Sequence, residues 1–129
     1  MPRENIEVMA AAYAAIAADD LDAFLALVDP EIEFVSLIAE AEGGSYHGHD
    51  GVREWWDSVI RSLGVRPGAE EIESFRDRGI TRMQLAGNIA GVEVPQRMWM
   101  AWRLRDGRLI WWTTFRTEAE ALESVGLSE

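Results

Sequence analysis

The two histidines, His47 and His49, are the side chains of this chain best suited to proton transfer near neutral pH. Residues two apart on a strand can share one metal ion, but no third ligand accompanies them, so we predict no metal site. We interpret His49 as part of a helix start and His47 as a candidate general base at the rim of a pocket. No carboxylate is visibly placed to orient His47, and the sequence therefore leaves the catalytic residue unknown.

Two adjacent tryptophans, Trp55 and Trp56, follow the histidines. They belong to a run from Val52 to Leu63 whose apolar residues are spaced three and four apart. This spacing predicts a helix with one wide apolar face and an aromatic end. Because a core helix rarely needs two neighbouring indoles to fill a layer, we interpret them as the lining of a cavity. A filled core is the alternative interpretation.

Composition limits the classes of protein that this chain can represent. With 129 residues, 48% of them hydrophobic, it can bury one core, and we predict a single domain over residues 1–129. A formal net charge of −11 makes nucleic acid and membranes poor partners. The absence of cysteine excludes disulfides and thiolate chemistry. We see no apolar signal segment and no spanning stretch, so we expect a cytoplasmic protein.

The first half of the chain is predicted to supply helices. A first helix is indicated by apolar residues spaced three and four apart: Ile6, Met9, Tyr13 and Ile16. Asp20 is a candidate N-cap of a second helix, which Asp29-Pro30 ends. Alternation from Ile32 to Ser36 predicts a strand, and residues 38–45 resemble a loop or pocket rim. The tryptophan helix then ends at a Leu63-Gly64 cap.

The second half is predicted to supply strands at residues 72–76, 80–86, 92–104 and 109–116. Pro67-Gly68 is read as a turn and Asp106-Gly107 as a hairpin turn. Thr117 opens a capping box with Glu120, which predicts a short last helix. Three helices followed by an antiparallel meander predict an α+β fold with the helices on one face of a bent sheet. The open end of such a cone is a natural small-molecule site.

Four motifs, taken in order and with their spacing, resemble the SnoaL-like branch of the nuclear-transport-factor-2-like superfamily over nearly the whole chain. They are Asp20-Leu21-Asp22-Ala23-Phe24, Asp29-Pro30-Glu31-Ile32-Glu33-Phe34, Tyr46-His47-Gly48-His49-Asp50-Gly51-Val52 and Asp106-Gly107-Arg108-Leu109-Ile110-Trp111-Trp112. The resemblance implies a cone, with three N-terminal helices on the concave face of a curved, mainly antiparallel sheet and a short C-terminal helix. Relatives include ketosteroid isomerases, polyketide cyclases and limonene epoxide hydrolase, so the fold carries over better than the chemistry.

The residues that carry ketosteroid isomerase chemistry are missing from this sequence. Counted from Asp20, the two aspartates of those enzymes fall at Ser36 and Met100, and neither residue can replace a carboxyl group. Their helix-one tyrosine falls at Ala12, one residue before Tyr13, so that role is not assigned. An epoxide hydrolase needs two carboxylates bridged by an arginine, and we can place no such trio. We predict no cofactor.

The resemblance also assigns the faces of the strands, because side chains alternate along a strand. Trp99, Trp111, Thr113 and Phe115 are expected to face outward, and Ile110 inward. Outward-facing indoles would leave an exposed apolar surface on the sheet. The resemblance implies that a second copy of the chain buries this surface in a homodimer. The predicted ligand-binding residues are Tyr13, Phe34, Ser36, Trp55, Trp56, Met83, Met98, Met100, Trp102, Trp112, Thr114 and Arg116. The planar guanidinium of Arg116 is expected either to bind a carboxylate or phenolate of the ligand or to form an ion pair with Glu40 or Glu118.

Three functions fit this sequence. The first is a cofactor-free cyclase, isomerase or dehydratase acting on a polycyclic or polyketide-like ketone, which requires a titratable group of shifted pKa in the cone. The second is a non-catalytic protein that binds a small apolar molecule. The third is a dimeric interaction module whose cone is vestigial. We favour a homodimer with an apolar, tryptophan-lined pocket, of undetermined reaction.

Overall fold

Most of the helices form one layer of the molecule. The structure is a computed structural model that describes residues 2–35, 45–62, 64, 66–86, 88–89, 92–93 and 96–126. Helix α1 spans Pro2–Ala17, α2 spans Leu21–Ala26 and α3 spans Gly48–Trp55. A π-helix, Trp56–Ser62, continues directly from α3. The predicted tryptophan helix therefore forms, but its second half is wound more loosely than an α-helix, which is frequent beside functional sites.

Two neighbouring aspartates organise the turn between α1 and α2. Asp20 is the N-cap of α2, and its side chain accepts a hydrogen bond from the Ala23 amide, which confirms the predicted cap. Asp19 has a positive φ of 53° and accepts a hydrogen bond from Trp56 Nε1 at 2.6 Å. Because Arg61 also reaches Asp19, at 3.3 Å, the turn is tied to the π-helix.

A six-stranded sheet forms the second layer. Its strands are β1 (Val28–Val35), β2 (Ser45–His47), β3 (Arg66–Phe75), β4 (Arg78–Ala86), β7 (Gln96–Arg105) and β8 (Arg108–Phe115). Their order is β2-β1-β8-β7-β4-β3, and only the β1–β8 pair within it is parallel. Two short strands, β5 (Asn88–Ile89) and β6 (Val92–Glu93), pair with each other. The mainly antiparallel sheet expected from the sequence is confirmed.

The predicted turn at Pro67-Gly68 is wrong. Both residues belong to β3, where Pro67 pairs with Leu85 and Gly68 pairs with Gln84 of β4. Strand β3 is an edge strand, and proline is tolerated there because its missing N–H can face away from the ladder. The predicted hairpin turn is confirmed, since Asp106 and Gly107 take φ values of 53° and 78° between β7 and β8.

The last helix, α4 (Glu118–Ser124), begins at Thr117, whose side chain accepts a hydrogen bond from the Glu120 amide as predicted. Unlike the three helices expected on the concave face, α4 packs on the opposite face of the sheet. Ala121 and Val125 pack with Ile80 and Ala101 in a small apolar cluster that is separate from the main core. Helices α1 to α3 and the π-helix instead pack on the inner face, so α4 covers part of the outer face.

The predicted alternation of strand faces holds along most of the sheet and fails at Ile110. Arg103 pairs with Trp111, but the next residue, Leu104, pairs with Leu109, so β8 carries one extra residue at a β-bulge. Leu109 therefore takes the inward position and is 1% exposed. Ile110, expected to face the cone, lines a groove on the outer face.

Candidate ligand-binding site

An apolar cavity lies between the helices and the inner face of the sheet. It is lined by Met9, Ala12, Tyr13, Ile16, Phe24, Trp55, Val59, Pro67, Met83, Leu85, Met98, Met100, Leu109, Trp112 and Thr114. The lining includes part of the predicted set, namely Tyr13, Trp55, Met83, Met98, Met100, Trp112 and Thr114. The cavity volume is about 40 Å³, which is room for a few water molecules rather than for a polycyclic compound.

Aromatic rings take up most of the space that the sequence suggested would be hollow. Trp112 stacks on Phe34 with ring centroids 3.9 Å apart. It also meets Trp55 at 5.4 Å and Phe24 at 6.0 Å, both at steep interplanar angles. Such offset and edge-to-face contacts are the favourable arrangements of aromatic pairs. The cluster fills the centre of the cone and leaves a narrow void beside the methionines.

Phe34, Trp56 and Trp102 lie outside the cavity lining. Each is fully or almost fully buried, at 1%, 0% and 0% exposed. They pack in the same core cluster as the lining residues, so they support its shape. Trp56 is turned toward the α1–α2 turn by its hydrogen bond to Asp19.

A buried polar chain ends at the cavity. Trp102 Nε1 donates to Thr81 Oγ1 at 3.1 Å, and Thr81 hydrogen-bonds the phenol of Tyr13. The Tyr13 hydroxyl in turn donates to Met100 Sδ at 3.3 Å. Burial raises the pKa of Tyr13 well above its ordinary value, and the hydrogen bond from Thr81 offsets only part of that rise. Tyr13 therefore stays protonated, and it can donate a hydrogen bond but cannot act as a base.

Thr81, a member of this buried polar chain, was not predicted from the sequence. It is 0% exposed, although threonine is usually found nearer the surface. A signal was present, because Thr81 lies two residues before Met83, a predicted ligand-binding residue, and therefore shares its strand face. Leu109 was missed for a different reason, since nothing in the sequence marks the bulge beside it.

The remaining predicted site residues lie at the edge of the cone or elsewhere. Thr114 is half-buried and lines the cavity, whereas Arg116 is exposed after the end of β8 and is not part of the lining. Ser36 and Glu40 lie outside the described residues, as does most of the predicted loop at residues 38–45. Leu63 also lies outside them.

The histidines do not reach the cavity. His49 Nε2 hydrogen-bonds the Val28 carbonyl oxygen at 2.9 Å, consistent with a structural role at the start of α3. His47 was expected at the pocket rim, and this is wrong. It pairs with Glu33 across β1 and β2, and it lines the outer groove with Arg103 and Trp111. The inward positions of this strand pair are taken by Phe34 and Tyr46, whose rings stack at 5.0 Å.

No carboxylate or imidazole is present among the described residues that line the cavity. Within the same described part of the chain, no three His, Cys, Asp or Glu side chains are grouped to hold a metal ion. The site that the structure does show is apolar, with hydroxyl, indole and thioether groups as its polar minority. Such a site binds through shape and through hydrogen bonds donated to the ligand.

The outer face of the sheet is only partly covered. Trp99, Trp111 and Phe115 face outward as predicted, and they pack beside the apolar cluster under α4. The Arg103 guanidinium lies 5.3 Å from the centre of the Trp111 ring, in a cation–π contact. At the other side of this face, burial raises the pKa of Glu73, and the nearby Glu71 raises it further.

None of the helices in the described ranges is both long and apolar enough to cross a lipid bilayer.

Helices α1 to α3 and the π-helix cover the inner face of the sheet and enclose the apolar cavity, which makes this an α+β fold with an internal cavity. The profile of the SnoaL-like domain matches residues 9–112, and the chain belongs to this family. This confirms the resemblance drawn from the sequence motifs. A comparison with curated proteins finds no match.

Solved structures show the same fold. TerC co-crystallized with polyporic acid is similar, with 23% identity, a TM-score of 0.78, and coverage of 95% of this chain and 98% of that one. RV0760c from Mycobacterium tuberculosis in complex with estradiol-17beta-hemisuccinate has 15% identity and a TM-score of 0.75, covering 89% and 95%. A Catenulispora acidiphila protein with a ketosteroid isomerase-like fold, in complex with trimethylamine, has 18% identity and a TM-score of 0.72, covering 94% and 93%.

Proposed function

We propose that this SnoaL-like protein binds a small, mostly apolar carbonyl compound inside the cone. The Tyr13 hydroxyl donates a hydrogen bond to the carbonyl oxygen of that compound. The observation that carries the proposal is the present acceptor of this hydroxyl, the Met100 thioether at 3.3 Å. A thioether sulfur is a weak acceptor, and a carbonyl oxygen is a much stronger one. A ligand that replaces the sulfur therefore strengthens a hydrogen bond in an apolar site, where such bonds are strongest.

The small volume of the cavity means that a ligand of several rings must displace side chains. Three methionines in the lining, Met83, Met98 and Met100, are suited to this movement. Methionine is unbranched and has several rotatable bonds, so it repacks around a guest more readily than a ring does. The structures of relatives with polyporic acid and with estradiol-17beta-hemisuccinate support a small-molecule site in this fold.

Catalysis is a second candidate, and Tyr13 is the observation that favours it. A neutral phenol held in a buried site can stabilise negative charge that develops on a carbonyl oxygen. This is the chemistry that a cofactor-free cyclase, isomerase or dehydratase needs on the electrophilic side. A proton acceptor is the other requirement, and the described lining contains no carboxylate or imidazole. Binding without turnover is therefore the function that the geometry supports best.

The experiment compares two probes and one variant. Tyr13→Phe removes only the hydroxyl, and tryptophan fluorescence reports binding because Trp55 and Trp112 line the cavity. We expect Tyr13→Phe to weaken binding of 1-tetralone, which has one carbonyl, by about tenfold, the worth of one net hydrogen bond. Binding of naphthalene, the matched control without an oxygen, should not change. Equal affinity of both proteins for 1-tetralone would refute the role of Tyr13, and appearance of a product would favour the enzyme.

We also propose that the outer face of the sheet pairs with a second copy of the chain. Trp99, Trp111 and Phe115 are left only partly buried by α4, and exposed aromatic surface of this kind favours association. Native mass spectrometry of the purified protein tests this directly, and extra mass on a dimer would also reveal a retained ligand. A monomer at micromolar concentration would contradict the proposed dimer. The cytoplasmic location stays a prediction.

A further inference from the structure

The indole N–H of Trp55 has no hydrogen-bond partner, although its nitrogen is buried. Trp55 is 4% exposed and lines the cavity. Its ring is fixed by steep contacts with Phe34 at 5.8 Å and Trp112 at 5.4 Å. A buried donor without a partner is unfavourable, and native proteins keep few of them. An unpaired donor beside a binding cavity is therefore a feature to be explained by the ligand.

Two other buried tryptophans pair their indole donors with side chains of the protein. Trp56, the next residue along the chain, donates to Asp19 at 2.6 Å. Trp102 donates to Thr81 at 3.1 Å. Both of these indoles lie outside the cavity lining, whereas Trp55 belongs to it. Trp99 Nε1 is also buried without a partner, but Trp99 lies on the outer face of the sheet. Trp55 is therefore the tryptophan that combines a buried, unpaired indole N–H with a place in the described cavity lining.

We propose that Trp55 Nε1 is the second hydrogen-bond donor of the cavity and that it selects ligands with two acceptor oxygens. The chemical class is a planar dicarbonyl compound such as a quinone. This inference rests on the proposed function, in which Tyr13 binds the first carbonyl oxygen. Tyr13 belongs to α1 and Trp55 to α3, so the two donors approach the ligand from different helices. A ligand with one oxygen satisfies only one of them.

The composition of the chain is consistent with an electrophilic ligand of this class. Quinones are attacked by thiols and by primary amines. The sequence contains no cysteine, and each of its 12 basic residues is arginine, so it has no lysine either. Arginine is always protonated in proteins and is a poor nucleophile. A quinone held in this cavity therefore meets neither of the side chains that would most readily form an adduct with it.

The test measures the affinities of three probes by calorimetry. They are naphthalene with no acceptor, 1-tetralone with one and 1,4-naphthoquinone with two. Trp55→Phe keeps an aromatic ring and removes the N–H, and Trp56→Phe is the matched control because its indole is bonded to Asp19 instead. We expect Trp55→Phe to weaken binding of the quinone by about tenfold. Its affinity for the other two probes, and the quinone affinity of Trp56→Phe, should change by less than about twofold.

Three results would overturn the proposal. Equal loss for all three probes in Trp55→Phe would show that the ring matters only for packing. No loss for any probe would show that the N–H points at a neighbouring ring face, as a weak N–H···π contact, and takes no part in binding. Absence of binding of any probe to the unmodified protein would remove the proposed function and this inference together.

One further result would separate the proposed role of Tyr13 from that of Trp55. If Tyr13→Phe leaves every affinity unchanged while Trp55→Phe selectively weakens binding of the quinone, the proposed role of Tyr13 is wrong and that of Trp55 stands.

A second measurement tests the proposal without any substitution, in case the Trp55→Phe protein does not fold. The six tryptophans give indole N–H signals in nitrogen-15 NMR spectra. The Trp55 signal should move downfield with 1,4-naphthoquinone but not with naphthalene, and the absence of a downfield shift with bound quinone would overturn the proposal.

Discussion

Replacing Trp112 with alanine should remove the aromatic ring that packs at the centre of the cone and should therefore destabilise the protein. The side chain is 3% exposed and stacks on Phe34 at 3.9 Å. A tryptophan buries up to about 250 Å². At about 25 cal/mol per Å², this gives at most about 6 kcal/mol, and less after allowance for contacts in the unfolded chain. Truncation of buried aromatic residues to alanine typically costs about 3–5 kcal/mol. We expect Trp112→Ala to lower the free energy of unfolding by that amount.

The adjacent residue supplies the matched control. Trp111 is half-buried on the outer face and contacts Arg103, so Trp111→Ala should cost only about 1 kcal/mol. Its main effect should be a weaker dimer. Urea denaturation followed by circular dichroism gives both free energies. If Trp112→Ala unfolds completely, the milder Trp112→Phe should still lose more stability than Trp111→Phe.

Ligand binding gives an independent assay of the same change. The space left by Trp112→Ala is lined by apolar groups, and such engineered cavities bind small aromatic molecules. Added indole should therefore raise the urea midpoint of Trp112→Ala and leave that of Trp111→Ala unchanged. Reversed effects of the two substitutions would refute the reasoning, because they would mean that β8 is placed one residue out of register beyond its bulge.

Two further predictions concern stability. Gly79→Ala should cost about 3 kcal/mol in urea denaturation, because the new Cβ would overlap the Glu73 carbonyl oxygen and lie 2.5 Å from the Trp102 ring; a change below about 0.5 kcal/mol would contradict this packing. The hydrogen bond from Trp56 lowers the pKa of Asp19 below its ordinary 3.8. The ionised Asp19 carboxylate therefore contributes its full stabilisation above pH 3.8, and this stabilisation is lost as the pH falls through the lower pKa of the folded state. In thermal melts between about pH 5 and pH 2, the Asp19→Asn protein should therefore lose less stability than the unmodified protein.

The sequence predicted the elements that depend on local periodicity or capping. The inner face of α1, the caps at Asp20 and Thr117 and the hairpin at Asp106-Gly107 are each determined within a few residues. The fold class followed from the order of these elements. Local rules also explain one error, since Pro67 and Gly68 have the composition of a turn and only the position of β3 at the sheet edge makes them strand residues.

Features that depend on tertiary contacts were harder to predict. Residues 109–112 are all apolar, so nothing in their pattern marks Ile110 as the extra residue of a bulge. The buried chain from Trp102 to Tyr13 joins a strand pair to the first helix, and no local signal brings them together. The volume of the cavity is also a packing property. The same aromatic residues can line a hollow or fill it, and here the Phe34–Trp112 stack fills most of it.

The parallel pairing of β1 with β8 has a consequence for how the chain folds. Strand β8 lies between β1 and β7 in the sheet. The sheet therefore becomes continuous only when β8, the last strand of the chain, pairs with β1, the first. Pairings between residues so distant in sequence, such as Phe34 with Trp112, give a high contact order, which slows folding. Until β8 docks, β1 presents an open apolar edge of the kind that promotes aggregation. Slow synthesis or truncation before Arg108 should therefore favour aggregates over soluble intermediates.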